Sequence, residues 1–231
     1  NYTIVIVDQI TEAPNIEREI TNIISPGTVI EDYNKYNTDI NTLVSIYIEE
    51  YSNNNYQKTI SIGFSAINIA TGKSYIHKII SHKRDGNLWK DELFRLIHYY
   101  SPSEIIFHYD ENIINLKRNE ISNQWDINEE ILYINLYKEK CFQKINYQNE
   151  FLKKIFRETN EPIQYIGLER DTEMLLSYIY MIQFIHEHKI ENVKGLSKPI
   201  HKGDDKNLIL SHNCIYQLYL IANKEHEYEK Y

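Results

Sequence analysis

Cysteine is almost missing from this sequence of 231 residues: only Cys141 and Cys214 occur, far apart and outside any Cys-x-x-Cys setting. That excludes a disulfide scaffold and a four-cysteine zinc site, and it fits a reducing, intracellular setting. Positive charge is also in short supply. Against 33 Asp and Glu stand 25 Lys and Arg, a formal net charge of -8, whereas a free-standing nucleic-acid binder is usually basic. The segment is therefore not expected to hold DNA by itself. Long apolar runs are absent. The longest, 174–185, is interrupted by Ser177, Gln183 and tyrosines and falls short of the ~20 residues that a membrane span requires, so no membrane contact is expected. Residues 1–8 carry no basic flank and do not read as a signal peptide. With 42% hydrophobic and 25% charged residues the composition is that of a folded chain, long enough for one large domain or one and a half.

What is present is patterned. Residues 2–8, Tyr-Thr-Ile-Val-Ile-Val-Asp, form a β-branched run of the kind that makes a buried core strand. The chain starts at Asn1 rather than Met, and is expected to be an excerpt of a longer protein. Residues 18–24 alternate loosely as a second strand, and Ser25-Pro26-Gly27-Thr28 punctuates them. The polar stretch 31–39 reads as a linker. Strands are expected at 42–51, 59–69 and 73–81, with turn signals at Ser52-Asn53-Asn54-Asn55 and Thr71-Gly72 between them. Their closeness in sequence predicts an antiparallel meander. The period then changes. Leu88, Trp89, Leu93, Leu96, Ile97 and Tyr100 share one helical face, and Pro102 closes that helix. A strand at 104–109 follows, then another at 131–137, an amphipathic helix at 147–158 and a longer helix at 171–188 with Asp171 or Thr172 near its N-cap. Residues 207–210 and 212–222 read as a short strand and a helix. Three meandering strands, then strands alternating with helices, predict an α/β fold: a mixed β-sheet flanked by helices, in the order of ribonuclease H-like proteins. Fold alone does not fix function.

Catalytic motifs are scarce. A phosphate-cradling loop Gly-x-x-x-x-Gly-Lys-Ser/Thr does not occur. Thr71-Gly72-Lys73-Ser74 imitates its end but falls in a turn between strands, so the chain is expected neither to bind nor to hydrolyse ATP. A Mg²⁺-dependent nuclease or resolvase of ribonuclease H-like type is the main alternative. It needs converging carboxylates, and Glu49, Glu50, Asp110 and Glu111 lie at strand ends. The middle of the first meander strand, where such enzymes place an acid, reads Val44-Ser45-Ile46-Tyr47 and has none. The nine histidines lack the i, i+4 spacing with Glu of a zincin. Two basic clusters remain, Lys78, His82, Lys83 and Arg84 in one and Lys198, His201, Lys202 and Lys206 in the other. Lys83, Arg84, Lys198, Lys202 and Lys206 are the candidate contacts to phosphate or to an acidic partner.

Several segments together resemble the MutS mismatch-repair proteins. Residues 18–28, Arg-Glu-Ile-Thr-Asn-Ile-Ile-Ser-Pro-Gly-Thr, are similar to the stretch that leaves the first domain of that family, and Ile4-Val5-Ile6-Val7-Asp8-Gln9 looks like the strand before it. Residues 63–72, Gly-Phe-Ser-Ala-Ile-Asn-Ile-Ala-Thr-Gly, resemble a family hairpin, and Glu92-Leu93-Phe94-Arg95-Leu96 with Pro102-Ser103-Glu104-Ile105-Ile106 a family helix-to-strand passage. Residues 208–220 are similar to the opening of the lever domain. Asn22 stands where the family usually has Arg, and Asn68 where it usually has Asp. The wealth of Asn, Ile and Tyr is in keeping with a divergent branch such as that of giant viruses and octocoral mitochondria.

The resemblance implies a division into residues 1–28, the end of the mismatch-binding domain; 29–195, a ribonuclease H-like connector; and 196–231, the start of the core and lever region. It implies a parent that is a homodimeric, ATP- and Mg²⁺-dependent clamp on mismatched double-stranded DNA, with the connector relaying nucleotide state and offering a surface to MutL. The family's aromatic wedge and its neighbouring Glu, a Phe-x-Glu motif, are expected upstream of Asn1 and not within this chain. For this chain the resemblance implies no catalytic residue, cofactor or metal, and an intracellular place: cytoplasm, mitochondrion or viral factory.

Overall fold

A computed structural model describes residues 2–11, 14–28, 41–52, 58–81, 86–109, 117–137, 140–157, 159–188, 193, 196–202 and 218. The α/β architecture read from the sequence is present. Strands β3 (Thr42–Ser52), β4 (Lys58–Asn68) and β5 (Lys73–Ile80) form the expected antiparallel meander. After helix α1 (Leu88–Tyr100), strand β6 (Glu104–Tyr109) adds parallel to β3. Helix α2 (Arg118–Trp125) leads to β7 (Leu132–Ile134), parallel to β6. Helices α3 (Ile145–Ile155), α4 (Pro162–Ile166) and α5 (Thr172–His188) follow, and β8 (Ile200–His201) closes the far edge beside β5. The sheet order is β7-β6-β3-β4-β5-β8.

The alternation of each strand sorts the core into two layers. Val44, Ile46 and Ile48 of β3, Phe64 of β4 and Phe107 of β6 meet α1 and α2, where Trp89, Leu93 and Trp125 are buried. Leu43, Ile67, Ile76 and Ile106 face the other way, toward α3, α4 and α5. Helix α5 is buried almost all round, from Glu173 to Ile185 apart from Gln183, as apolar residues on all its faces require. It comes very near the sheet because β3 and β4 present small residues to it. Ser177 Oγ donates to the Ser45 carbonyl at 2.8 Å and lies 3.0 Å from Ser65 Oγ. A Cβ on Gly63 would sit 2.0 Å from the Glu173 carbonyl oxygen. Each large apolar side chain of α5 that leaves water contributes about 1.5–3 kcal/mol.

Three expectations are corrected in detail. Strand β1 (Ile4–Gln9) exists but is exposed at every residue: it pairs antiparallel with β2 (Arg18–Ile24), whose last three residues are half-buried, in a separate two-stranded ribbon. The expected strand 131–137 shrinks to three residues, because Glu129–Ile131 winds into a 3-10 turn capped by the Asn128 side chain. Helix α3 starts and stops earlier than 147–158. The expected strand 207–210 and most of the helix 212–222 lie outside the described residues, as does the linker 31–39.

Candidate functional site

The ribbon meets the sheet at one buried carboxylate. Ser25-Pro26-Gly27-Thr28 forms a tight turn in which Thr28 N donates to the Ser25 carbonyl at 2.9 Å. Ser25 N donates to Thr28 Oγ1 at 3.0 Å, which fixes the turn from inside. Pro presets the second position of such a turn. Glu104, the first residue of β6, shares the α5 side of the sheet with Ile106 and is 1% exposed. Its Oε2 accepts from Ser25 Oγ at 2.7 Å and from Gly27 N at 2.8 Å, and its Oε1 accepts from Tyr133 OH at 2.9 Å. Burial, together with the neighbouring Glu104 carboxylate, holds the Tyr133 hydroxyl above its ordinary pKa. Glycine is required at position 27 by proximity: a Cβ there would stand 2.6 Å from Glu104 Oε2. Sequence reading marked the turn as punctuation but missed Glu104, because nothing local ties residue 104 to residue 27.

At the same end of the ladder, with Thr42 and Ser103 in its wall, lies a cavity of about 780 Å³, bordered by the β4–β5 turn, the end of α1 and Lys202. Lys202 is a meeting point of rings. Its Nζ lies 4.0 Å from the centroid of Tyr99, 5.8 Å from that of Tyr75 and 6.0 Å from that of Tyr100, and it donates to Tyr99 OH. Lys198 goes elsewhere, 5.5 Å over the ring of Tyr165 on α4. The two lysines of one sequence cluster thus serve different elements. Lys83, Arg84 and Lys206 lie outside the described residues. Lys78 is not available to a phosphate: Asp171 Oδ1 pairs with it at 2.6 Å and Glu173 Oε2 lies at 3.8 Å. Thr71-Gly72-Lys73-Ser74 forms a hairpin turn, with Gly72 at φ +65° and the Asn68 side chain accepting from Thr71 N at 3.0 Å. Lys73 there opens strand β5 and not a helix, unlike the lysine of a P-loop.

The remaining candidates resolve as follows. Glu50 pairs with Lys58 at 2.9 Å at the end of β3, Glu49 sits half-buried beside it, and Asp110 and Glu111 lie outside the described residues. Among the described residues no three His, Cys, Asp or Glu side chains converge as a metal would need, and no helix is long and apolar enough to cross a membrane. Trp89 is a core residue, 4% exposed. His188 Nδ1 lies 2.7 Å from the Phe184 carbonyl oxygen, and His186 stands edge-on to Phe151. Cys141 is half-buried, and Cys214 lies outside the described residues. One Phe-x-Glu spacing does occur, at Phe156-Arg157-Glu158. Phe156 is 7% exposed and packs near Tyr165, so it is a core ring and not a wedge for DNA.

The most unusual group is His108. It is stacked 4.1 Å from Tyr180 and 5.8 Å from Tyr137, with its Nε2 lacking a hydrogen-bond partner among the described residues. Burial pushes its pKa down to about 3, so the ring is neutral at neutral pH.

No family model matches the chain. A DNA mismatch repair protein, a mutS homologue of Acanthamoeba polyphaga mimivirus, is 33% identical over 249 aligned residues, covering 98% of this chain and 22% of the relative. MutS of Caldanaerobacter subterraneus is 25% identical over 235 residues, covering 99% of this chain and 24% of the relative. MutS of Prochlorococcus marinus is 29% identical over 214 residues, covering 82% and 22%. The chain thus spans less than a quarter of the length of these curated relatives.

Proposed function

We propose that this chain, which is similar to MutS mismatch-repair proteins over nearly its whole length, has as its sheet a connector, a coupling element without catalytic residues of its own. In this reading residues 1–28 complete the mismatch-binding domain, 29–195 form a ribonuclease H-like connector, and 196–231 open the core and lever region. The parent is a homodimer that grips mismatched double-stranded DNA through other domains and hydrolyses ATP with Mg²⁺ at a P-loop elsewhere. The connector passes the resulting motion between domains and presents a surface to a MutL-like partner.

The observation that carries this reading is the seat of the ribbon on Glu104. A two-stranded ribbon with Ile4, Val5, Val7 and Ile20 each half or more exposed is not self-supporting. It reads as the margin of another folded unit, and it joins the sheet through a polar contact that can be made and broken as a whole. Two of the three bonds to that carboxylate come from the ribbon's turn, while Tyr133 holds it from within the sheet; the contact is rigid while the two last and costs a discrete step to leave. Gly27 and Ser25 are therefore positioning residues for the angle between the two units.

In the full-length protein carrying this segment, Glu104→Ala is expected to leave ATP hydrolysis without DNA and the binding of mismatched duplex largely intact. It should weaken the acceleration of ATP turnover by mismatched DNA. Unchanged acceleration would overturn the relay. So would Mg²⁺-dependent cleavage of nucleic acid by the 231-residue chain that Asp110→Asn abolishes, the outcome a nuclease demands.

A further inference from the structure

The relay proposed above gives no role to the cavity beside Lys202. Its volume of about 780 Å³ lies in the range of small-molecule sites. The described lining carries Lys73 and Lys202, the rings of Tyr75 and Tyr99, hydroxyls such as Thr71 and Ser103, and no acidic side chain. In a chain of net charge -8 that is a local inversion of sign. Among the described residues no carboxylate pairs with either lysine. Lys202 is also held in position before any ligand arrives, since three tyrosine rings surround its ammonium and Tyr99 OH takes one of its protons. An ammonium has three donors, so N–H groups remain for an anion, and little side-chain freedom is left to lose on binding. Tyr99 is 57% exposed, which leaves ring surface open to a second planar group.

We propose that this cavity binds a nucleoside monophosphate, with the phosphate held by Lys73 and Lys202 and the base lying against the tyrosine rings. A phosphomonoester carries about -1.5 to -2 at neutral pH, which two ammonium groups neutralise. Aromatic faces accept any base by stacking, while the hydroxyl and amide groups of the wall suit a ribose. The site differs from a P-loop in kind: its lysines come from a hairpin turn and an edge strand, and its selectivity rests on the rings.

The test is calorimetric titration of the 231-residue chain with AMP, with inorganic phosphate and with single-stranded oligothymidylate. AMP is expected to bind with Kd on the order of 0.1–1 mM, and phosphate alone roughly tenfold more weakly. Lys73→Ala, at an exposed position whose loss does not threaten the fold, is expected to weaken AMP binding roughly tenfold. Lys202→Ala and Tyr99→Ala should do likewise, with Tyr99→Phe close to the parent because the ring remains. The proposal is overturned if AMP shows no binding below about 10 mM, or if Lys73→Ala leaves its affinity unchanged. It is also overturned if oligothymidylate binds where AMP does not, since the site would then belong to nucleic acid.

Discussion

Removing the carboxylate of Glu104 should detach the ribbon while the sheet stays folded. Three donors converge on it, two from the turn and one from Tyr133. A hydrogen bond to a charged acceptor contributes about 1.5–3 kcal/mol, but the three are not simply additive here. Ser25 Oγ has Thr28 Oγ1 at 2.9 Å as a second partner, and a phenol can rotate. Among the described residues the Gly27 amide has no second acceptor, and its desolvation is felt in full. For Glu104→Ala we expect about 3 kcal/mol lost from the docking of the ribbon, roughly a hundredfold in its opening equilibrium. Glu104→Gln keeps the shape but turns an NH₂ toward a donor, for about half that cost, and Ser25→Ala removes one bond for about 1 kcal/mol. The assay is amide hydrogen exchange, which reads opening segment by segment. Exchange at Gly27 and Thr28 should quicken in the order Ser25→Ala, Glu104→Gln, Glu104→Ala, with the β3–β4 amides as slow as in the parent. Unchanged protection of Gly27 in Glu104→Ala would refute the reasoning. So would equal loss across the ribbon and the central sheet in all three variants.

Two further outcomes follow from the packing. Gly63→Ala places a methyl against the Glu173 carbonyl and the Met174 amide, backbone groups that no rotamer change can move aside; it should cost about 3 kcal/mol, the upper range for overpacking, in urea unfolding. His108 is held neutral by burial, its folded pKa down at about 3. Its contribution is therefore intact above the unfolded value near 6.5 and is lost progressively as pH falls toward 3, by about 1.4 kcal/mol per pH unit from this one group. His108→Phe, which keeps a ring against Tyr180 and Tyr137, should flatten the stability profile between pH 6 and 4 (roughly the upper part of that window); an equally steep profile would show that other groups set it.

The meander, α1 and α5 were legible because each rests on periodicity, which is local. Small residues at Ser45, Gly63 and Ser65 were visible too, although only the structure shows that they admit the α5 backbone. What the sequence hid is long in range. Glu104 reads as one more acid before an apolar strand, and its tie to Gly27 spans 77 positions. Lys78 reads as part of a basic cluster until Asp171, 93 positions away, is placed beside it. The run at Ile4–Gln9 has the composition of a core strand, and composition cannot say where the covering surface lies.

The contact between Gly63 and the first turn of α5 has a mechanical meaning. Most helices rest on sheets through a cushion of side chains whose rotations take up small displacements. Here main chain abuts main chain, at a distance where even a methyl group does not fit. A push on the start of α5 cannot be absorbed at that point and passes directly into the central strand of the sheet. Helix and strand behave there as one stiff plate, and the compliance of the molecule is left to its edges.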